Sequence, residues 1–587
     1  MMDTMRKLRE LFDKTTQKKF IGLFGMMIVA ALLETLGIGL IVPFVGIVTN
    51  PSSINDNAIL STIYNTLGFE STSAFLITAT IVLLGVFVLK NAYLVLFNHL
   101  QFKVIFNEQV TTSKRLLNAY LKLPYTYHLE KNSSELVRNT NTEVQRVFRQ
   151  VIVPSMLILT ETVVVISVLC LLLVMAPIPT LISGVVLGGS VALFFRIFRK
   201  KLSSAAKSLQ TAQGQMIKWV NQGLGAGKEV KVSGKEQFFV DAYTEQSTEF
   251  AEATRFHELM KKIPRFFIET IVVGAILLMV LIIMLQTSDL ATLLSTISLF
   301  AMAAFRLMPS INRMTSAMTT VRQGKPALDV IHHDLIIEKV ENKADEGERE
   351  ERSMKDKAFE TSIDANNVSF RYPNTTEDAI QNVSLSIPIG KSVAFVGPSG
   401  SGKTTMADIM LGVLYPHTGT ITIDGDNIQD IRSLWQKNIG YIPQAIFLSD
   451  DSIRRNVAFG RYKEDIDDVE VWRALRQANL ADFIQSLPNG IDTFVGERGV
   501  RLSGGQRQRI GIARALYHDP EILFLDEATS ALDNDTEKEI MKAIDGLKGE
   551  KTLIIIAHRL TTIEKCDFVY KMEQGSASYQ QTEKIVT

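Results

Sequence analysis

The stretch Lys391-Ser392-Val393-Ala394-Phe395-Val396 runs directly into Gly397-Pro398-Ser399-Gly400-Ser401-Gly402-Lys403-Thr404-Thr405, and it decides how the second half of this chain folds. An apolar strand, a glycine-rich turn and a helix start follow one another, the setting in which a phosphate-cradling loop forms. The glycines let backbone N–H groups close around phosphate oxygens, and the following helix adds the positive end of its dipole. Lys403 is placed to reach β- and γ-phosphates and Thr404 to ligate Mg²⁺. The pattern from about Phe359 onward predicts an α/β domain.

Further along, Ile522-Leu523-Phe524-Leu525-Asp526 reads as a buried strand that ends in an acid, with Glu527 next to it. Leu553-Ile554-Ile555-Ile556-Ala557-His558 is a second such strand, ending in a histidine. Between the phosphate loop and these strands lies Leu502-Ser503-Gly504-Gly505-Gln506. With Ser530-Ala531-Leu532-Asp533, Gln444 after Ile439-Gly440-Tyr441-Ile442, and Tyr372 in Phe370-Arg371-Tyr372-Pro373, the ordered set resembles the ATPase domain of ABC transporters. The resemblance implies that Tyr372 stacks on adenine and that Gly397–Thr405 holds the phosphates. It implies that Thr404, Gln444 and Asp526 surround Mg²⁺, that Glu527 polarises the attacking water and that His558 touches the γ-phosphate. By the same likeness Ser503, Gly504, Gly505 and Gln506 meet ATP bound to a second protomer. One chain carries one phosphate loop and one signature, and every catalytic position is intact, so a homodimer with two working sites is expected. Thr493-Phe494-Val495-Gly496-Glu497-Arg498-Gly499 matches the exporter X-loop, except that Phe494 stands where an acid is frequent.

The first half is different in kind. Crossing the hydrocarbon core takes about 20 mostly apolar residues in a helix, and six segments qualify: about 20–49, 73–100, 150–175, 178–199, 265–286 and 290–318. The leading segment carries Arg6, Lys7, Arg9, Lys14, Lys18 and Lys19, whereas Asn50–Thr72 contains no Lys or Arg. Long connections rich in Lys and Arg, about 101–149 and 200–264, alternate with connections that contain neither: Asn50–Thr72 and the turns at Ala176–Pro179 and Thr287–Asp289. This alternation predicts a multi-pass protein of the cell membrane with both termini and the ATPase domain inside. The inner connections read as helices that continue into the cytoplasm, broken near Leu123-Pro124 and again between Gly223 and Gly234. The expected organisation is a six-span helical domain over 1–333, a charged linker over 334–358, and the nucleotide-binding domain over 359–587. For the outer segment two readings stand: an amphipathic helix near 52–68, or a packed loop.

Balanced charge, with 62 basic and 62 acidic residues, gives no reason to expect nucleic acid. The mean hydropathy of +0.14 is high for a water-soluble chain of this length. Cys170 and Cys566 are too far apart in kind and position to suggest a disulfide framework or a metal cluster. The opening Met-Met-Asp-Thr-Met-Arg reads as retained, because the apolar run behind it is too long for a signal-peptide core.

Charges inside spans are functional candidates. Lys90, Arg265, Arg306 and Arg313 fall in the inner half of the membrane, and a homodimer would double them into a basic ring. Snorkelling, or pairing with Glu34, Glu161 or Glu269, is the alternative for them. Leu33-Glu34-Thr35, Val42-Pro43-Phe44, Leu294-Ser295-Thr296-Ile297-Ser298 and Phe305-Arg306-Leu307-Met308-Pro309-Ser310-Ile311-Asn312-Arg313 resemble the PglK-type lipid-linked oligosaccharide flippases. That resemblance implies an anionic, lipid-linked glycan moved to the outer leaflet, with the basic residues meeting its pyrophosphate. Lys90 stands where that family has Arg, which keeps charge but loses the fork. The alternatives are a broad lipid or drug exporter of the same architecture, or an ATP-gated channel or regulatory subunit.

Overall fold

A computed structural model describes residues 2–49, 58–69, 71–175, 177–286, 290–348, 358–526, 534–557 and 563–580. They divide into two compact units. One comprises Met1–Leu123 with Lys131–Glu341, the other Pro124–Glu130 with Asn342–Thr587.

The first unit is helical: α1 (Met2–Leu11), α2 (Lys14–Thr49), α3 (Ala58–Thr66) and α4 (Thr72–Lys122), then α6 (Ser133–Arg138), α7 (Val153–Met175), α8 (Pro177–Gly225), α9 (Gly227–Ser233), α10 (Glu236–Gln286) and α11 (Leu290–Glu348). The short α5 (Tyr125–Glu130) belongs to the second unit. At 1.5 Å per residue, the 51 residues of α4 extend about 75 Å, more than twice the hydrocarbon thickness. Among the described residues, Lys14–Glu34, Thr72–Lys122 and Ser133–Cys170 are long and apolar enough to cross a membrane. The other three expected spans fall on α8, α10 and α11, where most side chains lie outside the described residues. The first expected break holds α5 and the second holds α9, which Gly234 ends at φ +61°.

Between α6 and α7 the helix widens twice into π-helical turns, Asn139–Glu143 and Val147–Ile152. Such widening turns extra side chains onto one face; Val144, Val147, Phe148 and Val151 are all fully buried. α11 crosses this segment at Gly324, where an added Cβ would lie 2.8 Å from Gln150 Cβ and Val151 Cγ2. Two residues later Pro326, and earlier Pro309, remove N–H groups from the α11 ladder.

Beyond Gly324, α11 meets α1 through two ion pairs and a histidine–carboxylate contact. Asp3 meets Lys325 at 3.1 Å, Lys7 meets Asp329 at 2.6 Å, and Glu10 meets His332 at 2.8 Å. Successive pairs step by four and then three residues on both helices, the geometry of two helices running parallel side by side. Two residues further on, Asp334 is buried and accepts hydrogen bonds from Tyr120 and from Asn139 Nδ2, the latter at 3.1 Å.

Two expectations are modified here. The charged linker expected from 334 is helix through Glu348, and Asp334 and Leu335 are buried in the first unit. The Lys-, Glu- and Ala-rich run that reads as solvated is equally a run of strong helix formers, and it prolongs a helix already nucleated. Residues 349–357 lie outside the described residues. The outer segment contains helix α3, closed by Gly68 at φ +68°. Tyr64, Phe69 and Phe75 pack beyond it with ring centroids 5.3–6.0 Å apart. The first residues of the expected helix, 52–57, fall outside the described residues.

The second unit holds two sheets. β1 (Ser362–Phe370), β2 (Ile380–Pro388), β4 (Thr418–Ile423) and β5 (Asp426–Asn427) form an antiparallel sheet in the order β2-β1-β4-β5. The larger sheet runs β10-β9-β3-β8-β7-β6, from β3 (Ser392–Val396), β6 (Ile439–Ile442), β7 (Ile522–Asp526), β8 (Thr552–Ile556), β9 (Phe568–Glu573) and β10 (Ser576–Gln580). All its pairings are parallel except the β9–β10 hairpin. Every residue of β3, β7 and β8 is buried, which is why they read as unbroken apolar runs rather than alternating ones. Phe395 aligns with Ile556, and Ile556 with Asp526. The phosphate loop, Asp526 and the segment leading to His558 therefore leave one edge of the sheet together, the ligand-binding edge of parallel α/β folds.

Candidate nucleotide-binding site

The loop after β3 needs glycine for stated reasons. Gly397 has φ +145°, and a Cβ there would sit 2.2 Å from the Met572 carbonyl oxygen. Gly402 has φ +102° and precedes α12 (Lys403–Met410), whose first turn has no side-chain cap. Its leading N–H groups are thus offered to an anion. Lys403 is buried, and its Nζ donates to the carbonyls of Gly397 and Pro398 at 2.9 Å each. Ser401 Oγ is buried within the loop and has no hydrogen-bond partner, an orphaned polar atom that a phosphate oxygen would satisfy. Ser399, Gly400 and Thr404 are exposed, while Thr405 is buried.

Asp526 is buried at the end of β7. Sequence reasoning missed its neighbour Asp408, one turn beyond Thr404 on the same face of α12. Burial, and then the Asp526 carboxylate, push the Asp408 carboxyl up to about 6. Two carboxylates brought together at the phosphate loop are a setting that a divalent cation relieves. Thr404 hydroxyl, Asp526 carboxylate and the exposed Gln444 amide supply hard oxygen donors of the kind Mg²⁺ takes alongside phosphate oxygens, so these residues fit that ion. Burial, followed by Asp526 and Asp408, also raises the Tyr441 phenol.

Tyr372 follows β1, edge-on to Phe370 with centroids 5.0 Å apart, and its hydroxyl is 3.0 Å from Thr405 Oγ1. The ring is thereby anchored over the first turn of α12. Helix α5 joins this side of the unit: Asn374 Nδ2 donates to Glu130 Oε1 at 2.8 Å, and the Tyr125 phenol acts electrostatically on both Tyr372 and Tyr441.

Ser503 heads a separate helix, α13 (Gly504–Leu516), through a capping box. Its Oγ accepts from Gln506 N at 3.2 Å, and its own N–H donates to Gln506 Oε1 at 2.9 Å. Ser503 and Gly504 are exposed and Gly505 is buried. The Gln506 side chain, expected at nucleotide, is committed to this cap. Phe494 is 55% exposed and pairs through backbone with Ser452. Glu527, Ser530–Asp533 and His558 lie outside the described residues.

In the first unit, Lys90 Nζ stands 4.6 Å over the Phe87 ring, and Arg265 is exposed on α10. Arg306 is on α11, but its side chain lies outside the described residues. Arg313 forks onto Glu161 of α7: Nε pairs with Oε1, and Nη2 donates to Oε2 at 3.1 Å. Among the described residues, no hydrogen bond or ion pair joins Lys90, Arg265 and Arg313 to one another.

Residues 380–530 match the model of the ABC transporter family. The ATP-dependent lipid A-core flippase of Cupriavidus pinatubonensis is 32% identical over 476 residues, covering 78% of this chain and 77% of that protein. The flippase of the same name from Ralstonia nicotianae is 31% identical over 492 residues, 81% and 78% of the two chains. That of Escherichia coli K12 is 33% identical over 398 residues, 67% and 66%. A solved bacterial Atm1-family ABC exporter with ATP bound shares the fold, with a TM-score of 0.77 at 22% identity over 98% of this chain and 97% of that one. The chain belongs to the ABC transporters. Within that family it is an exporter, with the membrane helices and an ATPase that drives transport carried on one polypeptide.

Proposed function

We propose that this exporter is a flippase that carries an anionic, amphipathic, lipid-linked cargo, in the first instance a lipid-linked glycan, from the inner to the outer leaflet. The observation that carries this reading is Arg313 on α11, at the sixth expected span, whose side chain stays 43% exposed while it pairs with Glu161. Ionisable groups at such depth mark cargo pathways, and an arginine suits phosphate or pyrophosphate. The names of the relatives, lipid flippases, support the lipid part. The protein works as a homodimer in the cell membrane, both termini inside and α3 outside. Each of its two sites would combine Gly397–Thr405 of one protomer with Ser503–Gln506 of the other.

In the ATPase step the α12 N–H groups and Ser401 receive phosphate oxygens. The Lys403 ammonium leaves the Gly397 and Pro398 carbonyls for the β- and γ-phosphates. Tyr372 holds the base, and Glu527 accepts the proton of the attacking water. Mg²⁺, when bound by Thr404, Gln444 and Asp526, neutralises charge developing between the phosphates. Purified protein in proteoliposomes should hydrolyse ATP faster with anionic than with neutral lipids and move a fluorescent anionic lipid between leaflets. A response that ignores headgroup charge would replace this reading with that of a broad lipid or drug exporter.

A further inference from the structure

We infer that Glu161 is a positioning residue for cargo: it holds Arg313 by one edge so that the other edge faces an incoming phosphate. This rests on the proposed function and adds the residue that sets headgroup selectivity. A guanidinium has two bidentate edges. Glu161 occupies the one formed by Nε and Nη2. Among the described residues, the second edge, Nη1 with the outer hydrogen of Nη2, is held only by a 3.4 Å bond from Nη2 to the buried Ser310 Oγ, and Nη1 donates no hydrogen bond.

Exposure is distributed unequally across the pair. The Glu161 side chain is 7% exposed and that of Arg313 43%. The acid is tucked behind and the base looks out, so an anion can reach the free edge without separating α7 from α11. Releasing the long Ser310 bond completes a second fork to one phosphate group. Among the described residues, Glu161 and Glu34 of α2 act electrostatically on Arg313. With acids offsetting part of its charge, a headgroup is recognised by the geometry of the open edge and held loosely, as release to the far leaflet demands. A bare basic ring would bind more tightly and release more slowly.

The test uses the full-length dimer in phosphatidylcholine proteoliposomes, with ATPase activity titrated by phosphatidic acid and, as the matched uncharged lipid, by diacylglycerol. The wild type is expected to prefer phosphatidic acid. Glu161→Gln, which cannot accept both arginine hydrogens, should raise the half-stimulating concentration of phosphatidic acid about tenfold relative to diacylglycerol, the ratio corresponding to loss of one aligned charge-assisted contact of about 1.4 kcal/mol. Glu161→Asp, which keeps the charge but shortens the reach, should give a smaller shift in the same direction and serves if the glutamine variant does not fold. An equal shift for both lipids would make the pair merely structural and overturn the inference. A lowered phosphatidic acid requirement would make Glu161 a competitor for Arg313, and overturn it too. A wild type indifferent to phosphatidic acid and to other anionic lipids would remove the proposed function and this inference with it.

Discussion

Lys7 of α1 donates to Asp329 of α11 at 2.6 Å, and this contact is the middle rung of a three-rung ladder. The rungs begin one residue past Gly324 and flank Pro326, where α11 has lost a backbone hydrogen bond. α1 therefore splints a helix at a weak point of its own ladder. Partly exposed ion pairs contribute little singly and are screened by salt. Lys7→Glu should accordingly accelerate amide hydrogen exchange in residues 2–11, and Lys7→Glu with Asp329→Lys should restore slow exchange. Exchange that is unaltered by the first change, or not restored by the second, would show that the rungs hold nothing.

Glu527→Gln keeps size and hydrogen bonding but removes the base. Turnover should fall by about 10²- to 10⁴-fold while ATP is still bound, and the nucleotide-sandwiched dimer should accumulate on size exclusion. Near-wild-type phosphate release from the variant would assign the proton acceptor elsewhere.

Two glycines of the phosphate loop should respond differently to alanine. Gly400 has φ +79° with open space around its absent Cβ, so Gly400→Ala meets backbone strain alone, about 1–2 kcal/mol. Gly397→Ala adds a clash with the Met572 carbonyl at 2.2 Å and should abolish ATP binding. Titration with a fluorescent ATP analogue distinguishes them: Gly400→Ala should bind weakly and Gly397→Ala not at all.

Asp408 gives the nucleotide-free ATPase unit a pH dependence. Its folded carboxyl titrates near 6, above the ordinary value of 3.8, so between these values the folded state binds the proton that the unfolded chain releases. This contribution to stability is present at low pH and is lost as pH rises through about 6. Trp435 reports locally, since it is fully buried with its Nε1 donating to the Met410 carbonyl at the end of the same helix. Thermal melting followed at Trp435, with Trp219 and Trp472 replaced by Phe, should show Asp408→Asn raising the transition at pH 7 more than at pH 5. An equal effect at both values would show that the Asp408 carboxyl is not raised in the fold.

Arg306→Ala should slow flipping of an anionic lipid more than that of a neutral one, and Arg306→Lys should recover part of the loss, because charge returns without the fork. Leaflet-resolved quenching of labelled lipids measures both. Wild-type rates for the anionic lipid in a folded, dimeric Arg306→Ala protein would take this residue out of the cargo path.

What could be read from sequence depended on how far each feature reaches. The phosphate loop and the strands ending at Asp526 and Ile556 are written in contiguous residues, because buried parallel strands must be apolar throughout and the loop must be glycine. Asp408 was within reach of the same logic, four residues from Thr404 on one helix face, yet an acid in a helix has no meaning until β7 brings Asp526 beside it. The Arg313–Glu161 fork spans 152 residues. Sequence offered three acids for that base and no means of choosing among them. The α1–α11 rungs were likewise invisible, because a charged N-terminal helix reads only as an orientation signal. The linker failed as an expectation for another reason: Lys and Glu in alternation suit water and helix equally, and the preceding helix decided it.

Helix α5 has a consequence in time. Its partner across the Asn374–Glu130 hydrogen bond lies 244 residues further along the chain. At 5–20 residues per second on the ribosome, Tyr125–Glu130 emerges about 10–50 s before the residue that receives it exists. For that interval the six residues must wait at the water's edge without collapsing onto neighbours. Their composition, Tyr-Thr-Tyr-His-Leu-Glu, with a single aliphatic side chain, suits such a wait. A substitution there that added apolar surface would then damage the protein during its synthesis, even where the finished fold could accommodate it.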